Sequence, residues 1–204
     1  MAVISLFGIE LTRYRIMRDI GRMAFPIFAF LLTEGFVHTS DRRRYGERLL
    51  AFALISEIPW NLLHAGTIFY FESHNVFFTL FMGYLGLCLL ERLKDEDAPA
   101  ARLAAGGLIA LFVVAVVGNA DYGPRGFGLV LVLYLLRGQP APRAVLGSCV
   151  LNTPLFVSLA YLPIGMYNGQ RGFVKGPVIK LLFYAIYPVH MLVLYYVRLR
   201  TLGY

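Results

Sequence analysis

The sequence predicts an all-α polytopic membrane protein, and three observations carry that prediction. Hydrophobic residues make up 58% of the 204 residues and charged residues only 15%, against roughly 45–50% and roughly 25% in soluble domains. Mean hydropathy is +0.66. Apolar runs recur along the chain at or near the roughly 17–25 residues that cross the hydrocarbon core as helix.

Seven such runs are expected as transmembrane helices, at about 20–37, 48–65, 75–92, 103–119, 124–137, 143–162 and 178–197, the fifth being short. The breaks between them are the charged "RLKDEDAPAAR", the proline-rich "RGQPAPR" and the long "PIGMYNGQRGFVKGP". Pro26, Pro59, Pro154 and Pro188 fall inside runs. Each lacks a backbone donor and frees a carbonyl, so kinked helices lining a cavity are expected. With no repeat or long linker, residues 1–204 read as a single transmembrane helical domain, 1–19 being an interfacial or truncated N-terminal segment. That segment has neither the basic start nor the small-residue site of a secretory signal. Cys88 and Cys149 lie within runs and at no ligand spacing, so neither a disulfide nor a metal site is expected.

The net charge of +7 would suggest nucleic acid in a soluble protein, but here the basic residues sit between apolar runs, and no nucleic-acid partner is expected. With the first span entering from outside, the inner loops hold Arg42, Arg43, Arg44, Arg48, Arg92, Lys94, Arg102, Arg137, Arg143, Arg198 and Arg200. Only Arg125, Arg171 and Lys175 remain outside, which favours a cytoplasmic C-terminus. The triplet Arg42–Arg44 reads either as a topology anchor or as a clamp for a phosphate-rich ligand, since guanidinium forks match phosphate oxygens.

Ionisable residues within the runs are expensive and call for a partner or a watery cavity. Glu34 lies one turn from the arginine loop and is expected to pair with it. Glu57 sits mid-span beside Pro59, with Asn61 and His64 on the same helical face, which is expected to point inward. His190, two residues after Pro188, suits either a structural hydrogen bond or proton transfer. His64, His74, Asn75, Asn119, Asp121, Tyr122, Tyr167 and Asn168 all fall towards the outer side, a set able to hold a substrate or carry protons.

The ordered stretches "IGRMAFPIFAFLLTEGF", "YGERLLAFALISEIPWNL", "HNVFFTLFMGYLGL", "ADYGPRGFGLVLVLYLLR", "YNGQRG" and "LLFYAIYPVHMLVLYY" resemble the TraX family of bacterial membrane proteins, from about Arg18 to Tyr196. The resemblance implies an acetyltransferase using acetyl-CoA, since the best-known member is associated with N-acetylation of a conjugative pilin; it is also distantly similar to membrane acyltransferases of surface sugars. It implies that Arg42, Arg43, Arg44 and Arg48 hold the CoA phosphates and that Glu57, His74, Asn75, Asp121 and His190 line the acceptor region, without fixing which is catalytic. His190, Glu57 and His74 are expected to supply the chemistry, and His64, Asn75, Asp121, Tyr122, Asn168 and Tyr187 to contact a protein or glycan acceptor. The setting implied is the bacterial inner membrane. Family members usually begin with a further helix ending near a Leu-Asp-His element, which does not precede Ile20 here. The expected function is acyl transfer from cytosolic acyl-CoA to an acceptor at the outer face. The alternatives are a small proton- or cation-coupled transporter and a non-catalytic conjugation or secretion assembly factor.

Overall fold

A computed structural model describes residues 19–94, 98–152, 155–169 and 177–202, together with Ile16. Among these residues the protein is all-helical: α1 (Ala24–His38), α2 (Arg42–Ala65), α3 (Val76–Arg92), α4 (Ala98–Val117), α5 (Gly123–Leu135), α6 (Pro140–Leu151), a 3-10 turn (Leu155–Ala160), the short α7 (Tyr161–Gly165) and α8 (Pro177–Leu202).

Local chemistry sets several boundaries. The Asp41 carboxylate accepts from the Arg44 amide at 2.9 Å and caps α2, Gly66 ends it in the left-handed region at φ 71°, and the Asn75 side chain accepts from the Phe77 amide at 3.0 Å to start α3. Helix also precedes α1, from Asp19, broken by a turn at Met23. Pro26 cannot donate to the carbonyl of Arg22, which accounts for the break. Pro59 and Pro188 lie within α2 and α8. Pro154 lies outside the described residues.

α3 and α5 form the middle of the bundle, packed between α1, α2, α4 and α6. Gly83 and Gly86 bring them together: a Cβ on Gly83 would lie 2.8 Å from Val130, and one on Gly86 would lie 2.8 Å from Phe127. Phe25, Ala29, Phe36, Leu87, Leu129, Val130 and Leu133 are buried there. α5, at 13 residues, is about 20 Å long and shorter than the hydrocarbon core. α4 differs. Its mean hydropathy is 2.3, yet only 11% of it is buried, and Leu103, Ile109 and Val117 are each more than two-thirds exposed. A soluble core helix would hide those side chains, so this face is built to meet lipid.

Among the described residues two helices, Asp19–His38 and Ala98–Val117, are long and apolar enough to cross a membrane. The seven expected spans are not all present as continuous helices. The sixth run breaks at Asn152, whose backbone is left-handed at φ 47° and ψ 49°. The chain then folds back along α6, for Arg143 Nη2 donates to the Ile164 carbonyl at 3.4 Å and Gly147 makes room for the Tyr161 hydroxyl. Phe52 of α2 stacks on Tyr184 of α8 at 4.6 Å, and Arg198 donates to the Leu63 carbonyl at 2.6 Å. The two helices therefore run in the same direction, and Arg198 lies at the opposite end of the bundle from Arg42. The expectation that the C-terminal arginines share a face with the Arg42–Arg44 loop is corrected accordingly.

Candidate functional site

The polar centre of the bundle lies where α2 passes the start of α3. His74 Nδ1 is 2.6 Å from Glu57 Oε1. Asn75 donates to Glu57 Oε2 through its side chain at 2.6 Å and through its backbone at 3.2 Å. A second bond, from Asn75 Nδ2 to the Ala53 carbonyl at 2.8 Å, fixes the amide. In the tautomer in which Nδ1–H donates to the Glu57 carboxylate, Nε2 keeps its lone pair. The side chains of His74 and Glu57 are 28% and 17% exposed.

The α4–α5 turn locks this centre from the far side. The His74 amide donates to the Asn119 carbonyl at 3.1 Å, the Asp121 amide donates to the His74 carbonyl at 2.9 Å, and the Thr79 hydroxyl donates to the Asp121 carbonyl. Asn119 and Tyr122 adopt positive φ values of 47° and 66° to make the turn. Tyr122 stacks on Phe25 of α1 at 3.8 Å. Burial pushes the Asp121 carboxyl above the ordinary aspartate range and the Tyr122 phenol up to about 12.

The expected site residues thus separate into groups. Glu57, His74, Asn75, Asp121 and Tyr122 come together, but the partners of Glu57 come from just ahead of α3 and not from its own helix. Asn61 bonds the Ile68 carbonyl at 2.9 Å, and His64 stacks on Trp60 at 3.8 Å. Tyr187 stands edge-on to Phe77 at 5.1 Å. His190, 5.4 Å from Tyr187, is exposed and bonded to the Ile186 carbonyl of its own helix at 3.0 Å; it is not enclosed in the bundle as mid-span placement suggested. Asn168 follows the α6–α7 hairpin, whose Tyr167 meets the middle of α1 at Phe30, so it leaves the outer group.

The arginine loop is paired locally. Arg43 meets Glu47 at 2.9 Å and Arg44 meets Asp41 at 3.3 Å, while Arg48 bonds the Arg44 carbonyl at 3.1 Å. Arg42 reaches Glu91 of α3 at 3.6 Å, and Glu91 also takes the Tyr134 hydroxyl. Glu34 does not join them: it meets His38 at 3.8 Å.

Two cavities meet beside the α4–α5 turn, at Asp121 and Tyr122, and neither is lined by Glu57, His74 or Asn75. An apolar groove of about 770 Å³ runs between α1 and the pair α2 and α8, from Tyr45 and Leu49 to His64, Asp121 and Tyr122. From Tyr45 to His64 along α2 is roughly 28 Å of helix. A polar cleft of about 230 Å³, lined by Arg22, Arg125, Asn152, Asp121 and Tyr122, meets it. Arg22, Arg125, Asn152 and Trp60 gave no signal in the sequence, because nothing in their local pattern shows which cavity they line.

The model of the family described as TraX protein matches residues 4–198. The chain belongs to the TraX family. It is 28% identical, over 203 residues, to a protein of Dichelobacter nodosus named as a probable fimbrial assembly protein, FimC of serogroup H1, the match covering 89% of this chain and 82% of that protein. No solved structure matches. As a TraX protein, the chain is a membrane protein with a name related to pilus assembly among its relatives.

Proposed function

We propose that this TraX protein is a multi-pass acyltransferase of the bacterial inner membrane, moving an acetyl or similar acyl group from cytosolic acyl-CoA to a protein or glycan acceptor of pilus or surface assembly. The observation that carries the reading is the Glu57–His74 pair, 2.6 Å apart and held by Asn75. A carboxylate that orients an imidazole and leaves its second nitrogen basic is the arrangement a general base needs. In the step, His74 Nε2 takes the proton of an acceptor amine or hydroxyl as its nitrogen or oxygen attacks the thioester carbonyl. The C–S bond breaks, the CoA sulfur leaves with that electron pair, and the proton passes from His74 to the thiolate. The products are the acylated acceptor and free CoA. His190, on an exposed helix face, is assigned a lining role in the groove.

The Arg42–Arg44 loop supports a donor site, since Arg43 and Arg44 are 89% and 80% exposed despite their partners and keep donors free for phosphate oxygens. Seven crossings, inherited from the hydropathy, give way in this reading to six through-helices and a hairpin. The test is transfer of labelled acetyl from acetyl-CoA in vesicles carrying the protein. Saturable transfer that fails in His74→Gln supports the reading. Proton or cation flux without transfer would replace it with a transporter.

A further inference from the structure

The groove and the polar cleft meet at one pair of residues, Asp121 and Tyr122, which line both. The groove is walled by Phe28, Leu31, Leu49, Phe77 and Ile186, and Phe28, Leu31 and Ile186 are about half exposed where lipid would lie. At 770 Å³ it falls within the roughly 300–1,000 Å³ of ordinary ligand sites. The cleft beside it presents two guanidinium groups, Arg22 and Arg125. Arg22 has one ion pair, a long one with Asp19 at 4.0 Å, and lies within electrostatic reach of Asp121 and Tyr122, while no ion pair holds Arg125 among the described residues. An apolar chain and an anionic group side by side describe an amphiphile, and guanidinium donors favour phosphate.

We propose that this joined cavity binds a phosphate-headed lipid, its acyl chain in the groove between α1, α2 and α8 and its phosphate between Arg22 and Arg125. Asp121 is the carboxylate that opposes an anion there. Its carboxyl is raised by burial, and when protonated it can donate a hydrogen bond to a phosphate oxygen. Asn152, at the turn of the α6 hairpin, adds a further amide to the cleft. The site goes beyond acyl transfer and does not require it: the lipid is held whether it serves as acceptor or as a fixed component.

Trp60 lines the groove and is the chain's single tryptophan, so its fluorescence reports occupancy without a label. The full chain in micelles of fixed composition is titrated with brominated-chain phosphatidic acid and with diacylglycerol bearing the same brominated chains, without acyl-CoA. Phosphatidic acid is expected to quench Trp60 at a mole fraction at least five-fold lower than diacylglycerol. Arg22→Gln with Arg125→Gln, both at the surface, is expected to erase that difference while the thermal midpoint stays within a few degrees. Ala24→Phe, which narrows the groove, is expected to weaken quenching by phosphatidic acid. Inorganic phosphate at millimolar concentration is expected to leave the phosphatidic acid curve in place; complete displacement would reduce the site to a headgroup contact and overturn the groove assignment. Equal curves for the two lipids, or a preference that survives the double substitution, would overturn the proposal outright. Because acyl-CoA is absent, this outcome is independent of whether transfer occurs.

Discussion

The arginine end and the histidine end of the bundle spend their charges differently. At the arginine end, Arg43 with Glu47 and Arg44 with Asp41 are pairs within one turn of α2, on side chains that are 89% and 80% exposed. At the histidine end, Glu57 is 17% exposed and its partners His74 and Asn75 are 17 and 18 residues away in the chain. Exposed pairs one turn apart are worth a few tenths of a kcal/mol and are screened by salt. A half-buried carboxylate with three donors is harder to lose, because each donor left behind keeps its desolvation cost. The first end can therefore exchange its partners for a ligand, and the second is built to hold one geometry.

The sharpest test of that contrast is His74→Gln, which keeps a hydrogen-bonding side chain but removes the base. Transfer from acetyl-CoA is expected to fall by a factor on the order of 10² to 10⁴, with acyl-CoA affinity unchanged in a direct binding measurement. A loss of binding equal to the loss of transfer would mean that His74 positions the donor.

Next in size is Glu57→Leu. It strands the His74 and Asn75 donors, and about 1–3 kcal/mol of stability is expected to disappear for each buried group left unpaired, read as a large drop in thermal midpoint in detergent. A comparable cost belongs to Gly83→Ala in the shared core, where the new Cβ would meet the buried Val130 at 2.8 Å. Overpacking of about 1–3 kcal/mol is expected to exceed the roughly 1 kcal/mol that alanine gains over glycine in a helix.

A smaller effect concerns pH. Burial raises the Asp121 carboxyl, so the folded protein holds that proton more tightly than the unfolded chain does. The contribution is present in full below the ordinary aspartate value and is lost as pH rises through the raised one. Asp121→Asn is expected to remove that fall in stability across the weakly acidic range; an unchanged profile of thermal midpoint against pH would assign the slope to other groups. Smallest of all is Arg43→Gln, expected to cost no more than about 0.5 kcal/mol in unfolding measurements. In Arg42→Gln, Arg43→Gln, Arg44→Gln combined, the folded yield is expected to hold and acyl-CoA affinity to fall; unchanged affinity leaves the loop a topology anchor.

These two ends were also unequally legible in the sequence. At the arginine end the expected partner was Glu34, which instead meets His38, whereas the demand of Glu57 for a partner could be read, because an ionised side chain among apolar neighbours is costly wherever it points. Its actual partners could not be read, since the loop from Gly66 to Ser73 decides that His74 and Asn75, just ahead of α3, arrive beside it. Hydropathy likewise marked the apolar content of 143–162 but not its direction. "VLNTPLFV" is as apolar going out as coming back, and among the described residues the left-handed backbone of Asn152 marks the hairpin.

The reversal at Asn152 also governs counting. A hairpin that enters and returns adds no net crossing, so with the six through-helices proposed above the number of passages between Asp19 and Leu202 is even. Reporter domains fused ahead of Asp19 and behind Leu202 would then light up in the same compartment, whichever compartment that is. A substitution that straightened the turn into a through-helix would send one of them to the other side.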